Sequence, residues 1–323
     1  MSDVVLEIRD LRVEFPELGR SVQAVRGCGF GVRYGEVLGL IGESGCGKSV
    51  TALACLGLVP PPGRVHGSII VDGEEVIGAS RKALADLRGG KVAMIFQNPG
   101  KALNPFFTVG RQMTDVIRVH RPVDRSGARD LAIEALELVR LPDPRVVLGK
   151  YPHQLSGGQL QRVMVAMAVS CDPLILIADE PTTALDVTIQ GQIIVLIRDL
   201  AQSRGLTVLF ITHDQGVVAS LCDRVAVMYA GRIVEMGSSD VLFNRPAHPY
   251  TRKLMLTAPR LGRGKTDLDV IPGQVPDMRA PPEGCAFHTR CSHALELCRK
   301  VSPLTETLDG DHTVSCHRAK ELV

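Results

Sequence analysis

Residues Gly42-Glu43-Ser44-Gly45-Cys46-Gly47-Lys48-Ser49 fit G-x-x-x-x-G-K-S, the spacing of a loop that wraps a polyphosphate. Glycines let the backbone come close to phosphate oxygens, so that successive N–H groups and a helix N-terminus face the anion. Lys48 then reaches the outer phosphates, and Ser49 is placed to ligate the Mg²⁺ that accompanies a nucleotide. A glycine-rich turn meets this pattern by chance as well. The flanks decide against that reading: residues 37–41 ahead of the loop form an apolar strand, and residues 51–56 behind it continue a helix.

Asp179-Glu180 closes a second apolar run, residues 174–178. Carboxylates at the C-terminal tip of a parallel strand can serve such a loop, Asp179 holding Mg²⁺ through water and Glu180 polarising the attacking water. Asp-Glu after an apolar strand is common; it gains meaning from its pairing with residues 42–49. Leu155-Ser156-Gly157-Gly158-Gln159 opens a helix over residues 160–170. Ser156 is a good N-cap, and the glycines leave backbone N–H groups uncovered, which predicts a second phosphate-binding helix terminus rather than a plain glycine-rich helix start. Two phosphate sites on one chain make sense if two molecules pair, each closing the other's nucleotide.

Four of the nine cysteines crowd into the last 39 residues as Cys285-x5-Cys291-x6-Cys298-x17-Cys316. The other five, Cys28, Cys46, Cys55, Cys171 and Cys222, are scattered. An odd total without an export signal argues against a disulfide framework and towards buried thiols plus a ligand cluster. Four thiolates complete either a [4Fe–4S] cluster or a tetrahedral zinc site. The long open spacings suit the cluster better than zinc, whose sites usually show paired C-x2-4-C knuckles. Zinc, including a mixed Cys/His site drawing on His288, His293, His312 or His317, is the alternative; free structural thiols are the third reading.

The elements that must carry these residues follow from periodicity. Residues 4–9 and 11–15 alternate as antiparallel strands, and 28–33 read similarly. Pro60-Pro61-Pro62-Gly63 breaks the chain, residues 67–72 form another strand, and 92–96 suit a central one. From about 103 to 168 the pattern is helical, clearest over 128–139. Apolar strands over 174–178 and 207–211 flank a helix over 187–202, an order that implies parallel pairing. Residues 224–229 and 232–236, joined at Ala230-Gly231, form a hairpin. Beyond Pro259 the chain is rich in Pro, Gly and charge, which predicts a small irregular appendage separate from the α/β core.

Composition bounds the partners. An apolar fraction of 45% and a charged fraction of 22% are those of an ordinary globular protein. With 37 basic residues against 35 acidic ones the net charge is +2, which gives no reason to expect nucleic acid. No apolar run approaches the roughly 20 residues that cross a bilayer, and Met1-Ser2-Asp3 opens no signal peptide, so a soluble cytosolic chain able to dock on a membrane protein is expected.

Taken together the motifs resemble the ATP-binding cassette subunit of an ABC transporter over nearly the whole chain. On that resemblance Gln97 is the Q-loop residue that ligates Mg²⁺ and senses the membrane partner, residues 155–159 are the signature motif, and Ala184-Leu185-Asp186 is the D-loop. His213, 33 residues after Glu180, is the switch histidine that contacts the γ-phosphate. Phe15 is the candidate to stack on adenine, with a core role as its rival. Absence of an N-K-x-D motif favours ATP over GTP.

A narrower resemblance rests on Asn98-Pro99, Leu103-Asn104-Pro105, Tyr151-Pro152-His153-Gln154 and residues 178–183, which look like the dipeptide/oligopeptide permease branch. Residues 162–168 point to its D-type ATPase, and His248-Pro249-Tyr250-Thr251 matches the branch's C-terminal extension. The resemblance implies an α/β P-loop NTPase core (1–258) with an antiparallel β subdomain, a helical subdomain at about 103–168, and a C-terminal extension (259–323) that in D-type subunits carries a [4Fe–4S] cluster. It further implies an ATPase powering import of dipeptides or oligopeptides, with nickel chelates or glutathione as alternative cargo. Such a subunit lies peripherally on the cytoplasmic face of the membrane, against two transmembrane permease subunits, paired with an F-type ATPase or with itself and served indirectly by an extracytoplasmic binding protein. The rival class, a soluble ABC ATPase acting on DNA or ribosomes, generally brings a long coiled-coil insertion or two cassettes in one chain, and neither is present.

Overall fold

The computed structural model describes residues 3–17, 19–183, 185–256 and 271–322. Ala184 of the D-loop and Pro259, where the appendage is expected to begin, lie outside the described residues. The chain runs through β1 (Val4–Glu17), β2 (Arg20–Arg33), β3 (Val37–Ile41), α1 (Lys48–Cys55), β4 (Arg64–Val71), β5 (Glu74–Glu75), α2 (Arg81–Leu87), β6 (Val92–Ile95), α3 (Pro99–Ala102), α4 (Val109–His120), α5 (Arg125–Leu138), α6 (Pro144–Gly149) and α7 (Gly157–Val169). It continues through β7 (Ile175–Asp179), α8 (Val187–Arg204), β8 (Thr207–Thr212), α9 (Gln215–Leu221), β9 (Arg224–Tyr229), β10 (Arg232–Ser238), α10 (Ser239–Asn244), α11 (Pro249–Leu256), α12 (Glu296–Lys300), β11 (Glu306–Asp309), β12 (His312–Val314) and α13 (Ala319–Leu322). Two compact units result: Met1–Val32 with Glu36–Gly78 and Ile211–Val323, and Arg33–Gly35 with Ala79–Phe210.

In the first unit β1 pairs antiparallel with β4, from Leu6 opposite Val71 to Glu14 opposite Arg64. The two strands expected over 4–9 and 11–15 are one strand, interrupted by a bulge between Arg9 and Arg12. Asp10, at φ 43°, absorbs the irregularity. A mixed sheet forms the other half: β3 runs parallel to β9, and β9, β10, β12 and β11 follow in antiparallel succession. Every residue of β3 is buried, as is all of β9 except Arg224, which is why both read as continuous apolar runs.

The second unit places β6 parallel to β7, from Val92 opposite Ile175 to Ile95 opposite Ala178. The helical stretch expected over about 103–168 contains α4, α5, α6 and α7. Thr108, Asp124 and Ser156 cap α4, α5 and α7 by accepting backbone N–H bonds, so polar residues fix three of these starts. Helix α5 buries Ala128, Ala132, Ile133, Ala135 and Leu136, the face its periodicity predicts. Helix α8 ends at Gly205 in the left-handed conformation, φ 62°. Among the described residues no helix is long and apolar enough to cross a membrane.

The appendage is more ordered, and less separate, than its composition predicts. After a loop from 271 it forms a 3-10 turn at His288–Arg290, then α12 and the β11–β12 hairpin, whose β12 joins β10 with Val314 opposite Glu235. Glu235 is the tie. Its carboxylate, 1% exposed, accepts the Ala247 N–H at 2.6 Å, the His248 N–H at 2.9 Å and a bond from His312 Nε2 at 2.8 Å. Burial by itself would raise this carboxyl; the hydrogen bonds, led by the one from His312, hold it below the usual 4.5. Glu235→Gln puts an amide where these donors converge, and the expected loss is about 3 kcal/mol of unfolding free energy in denaturant melts. A depressed carboxyl contributes stability above its unfolded value, lost as pH falls through the folded one, so the parent should show a fall below about pH 4.5 that the variant lacks. Equal stability at neutral pH would remove Glu235 as the tie.

Candidate functional site

The phosphate loop leaves the end of β3 and enters α1 within the first unit. Its glycines answer a spatial demand: a Cβ on Gly42 would lie 2.1 Å from the carbonyl oxygen of Met228, and one on Gly47, at φ 109°, would lie 2.5 Å from that of Ala24. Lys48 is buried, and its ammonium donates to the carbonyls of Gly42 at 2.8 Å and Glu43 at 3.0 Å. The Lys48 charge is thereby held against the loop's own backbone. Thr51 Oγ1 donates back to the Gly47 carbonyl at 3.0 Å, bracing the first turn that also carries Ser49. Ser44 and Gly45 lie at the loop's crest, and the Cβ direction at Gly45 meets open space. The Cys46 thiol is pushed up by burial, against the pull of Lys48, which makes it a packing group rather than a nucleophile.

Glu43 brings a carboxylate into this loop, where one tyrosine hydroxyl and one arginine hold it. Its N–H donates to the Tyr250 hydroxyl at 2.9 Å. Its side chain receives both prongs of Arg290, Nη1 to Oε2 at 2.7 Å and Nη2 to Oε1 at 2.9 Å. Arg290 also donates to the Tyr229 hydroxyl at 3.3 Å, and Tyr229, Tyr250 and Phe287 pack ring on ring with centroids 4.6–5.4 Å apart. The appendage therefore touches the phosphate loop directly, contrary to the separation its sequence predicts.

In the second unit β7 ends at Asp179, which is buried, and the chain turns at Glu180 with φ 46°. A non-glycine residue in this region costs about 1–2 kcal/mol, strain that recurs at functional positions. Glu180 Oε2 accepts from Gln97 Nε2 at 2.9 Å and from Thr183 Oγ1 at 2.9 Å, so two residues fix the carboxylate's direction. Ser156 Oγ accepts the Gln159 N–H at 3.3 Å while Gln159 Oε1 accepts the Ser156 N–H at 3.2 Å, a reciprocal capping box ahead of Gly157 and Gly158. A Cβ on Gly158 would meet Ile189 Cγ2 at 2.8 Å, so the start of α7 packs closely on α8. Asp186 caps α8 through Ile189 N–H at 3.0 Å.

The structure thus gathers Gly42 to Ser49, Phe15 and His213 in the first unit, and Gln97, Ser156 to Gln159, Asp179, Glu180 and Asp186 in the second. His213 is exposed just past the end of β8, ahead of Asp214, which caps α9. Phe15 is half-buried near the end of β1, its Cε1 lying 2.8 Å from where a Gly63 Cβ would stand.

Cys285, Cys291, Cys298 and Cys316 line one cavity with His248, Phe287, His288, His293 and His317. Three of the sulfurs receive a backbone N–H: Cys291 from His293 at 3.4 Å, Cys298 from Leu295 at 3.4 Å and Cys316 from Arg318 at 3.5 Å. The Phe287 N–H plays this part for Cys285. Burial pushes the Cys285 thiol up to about 11, with the three other cysteines adding to the rise, and burial raises Cys291 and Cys316 too. Among the described residues no group of three or more His, Cys, Asp or Glu side chains is placed to hold a single metal ion. His248 stands neutral beside this cavity: burial brings it down to about 4, and its Nδ1 accepts the Tyr250 N–H at 3.0 Å.

Arg290, Tyr229 and Tyr250 are the residues that motif reading misses. Tyr250 belongs to a segment with a recognisable pattern, yet its bond to Glu43 spans 207 residues and no local signal announces it. Arg290 has only its position beside Cys291 to mark it.

With this geometry in hand, the chain's relatives are informative. Residues 25–183 match the ABC transporter family and residues 234–298 the oligopeptide/dipeptide transporter C-terminal region. The chain is 48% identical to the probable peptide ABC transporter ATP-binding protein of Sinorhizobium fredii, covering 100% of this chain and 97% of that one. It is 45% identical to the dipeptide transport ATP-binding protein of Bacillus subtilis, covering 97% and 94%. A dimeric ATP-binding cassette solved in a post-hydrolysis state with ADP and phosphate superposes with a TM-score of 0.65 at 25% identity, over 72% of this chain and 98% of that one. Sequence, fold and C-terminal region agree: the chain belongs to the ABC transporter ATP-binding proteins of the dipeptide/oligopeptide branch, D-type.

Proposed function

We propose that this protein is the ATP-hydrolysing subunit that powers import of dipeptides or oligopeptides through an ABC transporter. The observation that carries the reading is the coexistence, in one chain, of an intact phosphate loop with the C-terminal region of peptide transporters. Lys48 and the loop of residues 42–49 are assigned to the phosphates, and Ser49, Gln97 and Asp179 to Mg²⁺. Glu180 activates the attacking water: its carboxylate is held by Gln97 and Thr183 on a strained backbone, so its direction is set before substrate arrives. His213 meets the γ-phosphate, and Phe15 stacks on adenine. Ser156 to Gln159 and Asp186 serve a second cassette, an F-type relative or another copy, and the pair works against two transmembrane subunits on the cytoplasmic face, with a binding protein delivering the cargo. Residues 1–258 form the motor and 259–323 the extension.

Cys285, Cys291, Cys298 and Cys316 fit a [4Fe–4S] cluster. Four cysteines line one cavity, and each sulfur has a backbone donor. The cluster would tie four points of the extension together and supply the positive centre that four crowded thiolates require.

Glu180→Gln should retain ATP binding and lose peptide-stimulated turnover by about 10²- to 10⁴-fold in the transporter reconstituted with its membrane subunits and binding protein. Lys48→Ala should weaken nucleotide binding itself. Turnover that survives Glu180→Gln, or that peptides fail to stimulate, would count against the reading. Protein purified without oxygen should be brown with about four irons per chain, and serine at any of the four cysteines should bleach it; a colourless preparation with stoichiometric zinc would replace the cluster by a zinc site.

A further inference from the structure

Arg290 lies in the turn just before Cys291, with 3% of its side chain exposed. Every donor of its guanidinium is engaged within the first unit, to which Arg290 itself belongs. Besides the two bonds to Glu43 and the one to Tyr229, Nη2 donates to the Ile271 carbonyl at 3.1 Å and Nε to the Pro272 carbonyl at 2.9 Å. A planar fork so completely engaged admits one orientation, and that orientation presents two parallel N–H groups to one carboxylate.

The carboxylate is the unusual partner. Glu43 is the second residue of a loop built to surround a polyanion, where a negative side chain opposes binding through like-charge repulsion in a low-dielectric setting. The bidentate bond draws it onto Arg290 and cancels its charge. The same residue's backbone is pinned at both ends: its N–H donates to Tyr250, and its carbonyl accepts from Lys48 at 3.0 Å. Orienting Glu43 therefore also orients the peptide group against which Lys48 rests.

We propose that Arg290 is a positioning residue for nucleotide binding, one that fixes the phosphate loop through Glu43 and neutralises the carboxylate inside it. The inference rests on reading residues 42–49 as the phosphate loop. It makes the C-terminal extension part of the ATP site, although none of its residues belongs to a nucleotide motif.

The full-length protein, titrated with ATP and Mg²⁺ by calorimetry, tests this. Arg290→Gln should raise the Kd for ATP about tenfold or more, since it leaves a half-buried carboxylate uncompensated beside the phosphates. Glu43→Gln added to Arg290→Gln should recover most of that loss, because the charge in need of cancellation is gone; a staple that merely holds the fold would not be rescued in this way. Arg290→Lys, which keeps the charge and loses the fork, should fall between parent and Arg290→Gln, and it decides the matter if Arg290→Gln does not fold. Parent-like affinity in a folded Arg290→Gln or Arg290→Lys protein, or a double variant no tighter than Arg290→Gln, would overturn the inference. Lys48→Ala separates it from the reading beneath: ATP lost there but kept in Arg290→Gln overturns the role of Arg290 alone, whereas ATP kept in both overturns the phosphate-loop reading with it.

Discussion

The closeness of the phosphate loop to the strands behind it is the constraint from which the rest follows. Gly42 and Gly47 back onto the carbonyls of Met228 and Ala24 at distances that leave no room for a side chain. A loop so seated needs β3 and β9 side by side and β2 in place to supply the backing. The wholly buried β3 and the nearly buried β9 provide that platform, parallel and in register from Leu38 opposite Arg224 to Ile41 opposite Val227. Residues 24 and 228 are far apart in sequence, so the loop is a product of the assembled unit and not of its eight residues.

Much of this was legible beforehand, for a definite reason. Periodicity located β3, α5, α8 and the β9–β10 hairpin because burial of one face or two writes itself into the order of apolar residues. The cap at Ser156 was visible because one polar residue decides a helix start. The appendage resisted the same method. Its order comes from one buried carboxylate, Glu235, receiving His312 and two N–H groups, and from β12 pairing with β10 across a long stretch of chain; neither leaves a periodic trace. The single strand β1 was likewise split in two by its alternation, because a bulge at Asp10 shifts the phase of inward and outward residues.

Among the candidate site residues, those in short motifs could be found from spacing, whereas those that act on the motifs could not. Gln97 and Glu180 were each identified by context, and the structure adds that they bond to one another within one unit. Glu43 was named only as a member of the loop, with no partner for its charge. That its charge is answered by Arg290, 247 residues away, depends on how the chain folds within the first unit.

The extension joins two demands in one short turn. Burial, helped by the neighbouring cysteines, raises the Cys285, Cys291 and Cys316 thiols, and backbone N–H groups are aimed at the sulfurs. Arg290 precedes one of these cysteines directly, and Phe287, which lines the cavity, packs on the tyrosines that bond Arg290 and Glu43. On the cluster reading, closing the cavity would order the turn that delivers the guanidinium to the loop, because metal binding and the folding of its ligands are one equilibrium. The cysteines and the nucleotide loop would then share a stability that neither motif reveals by itself.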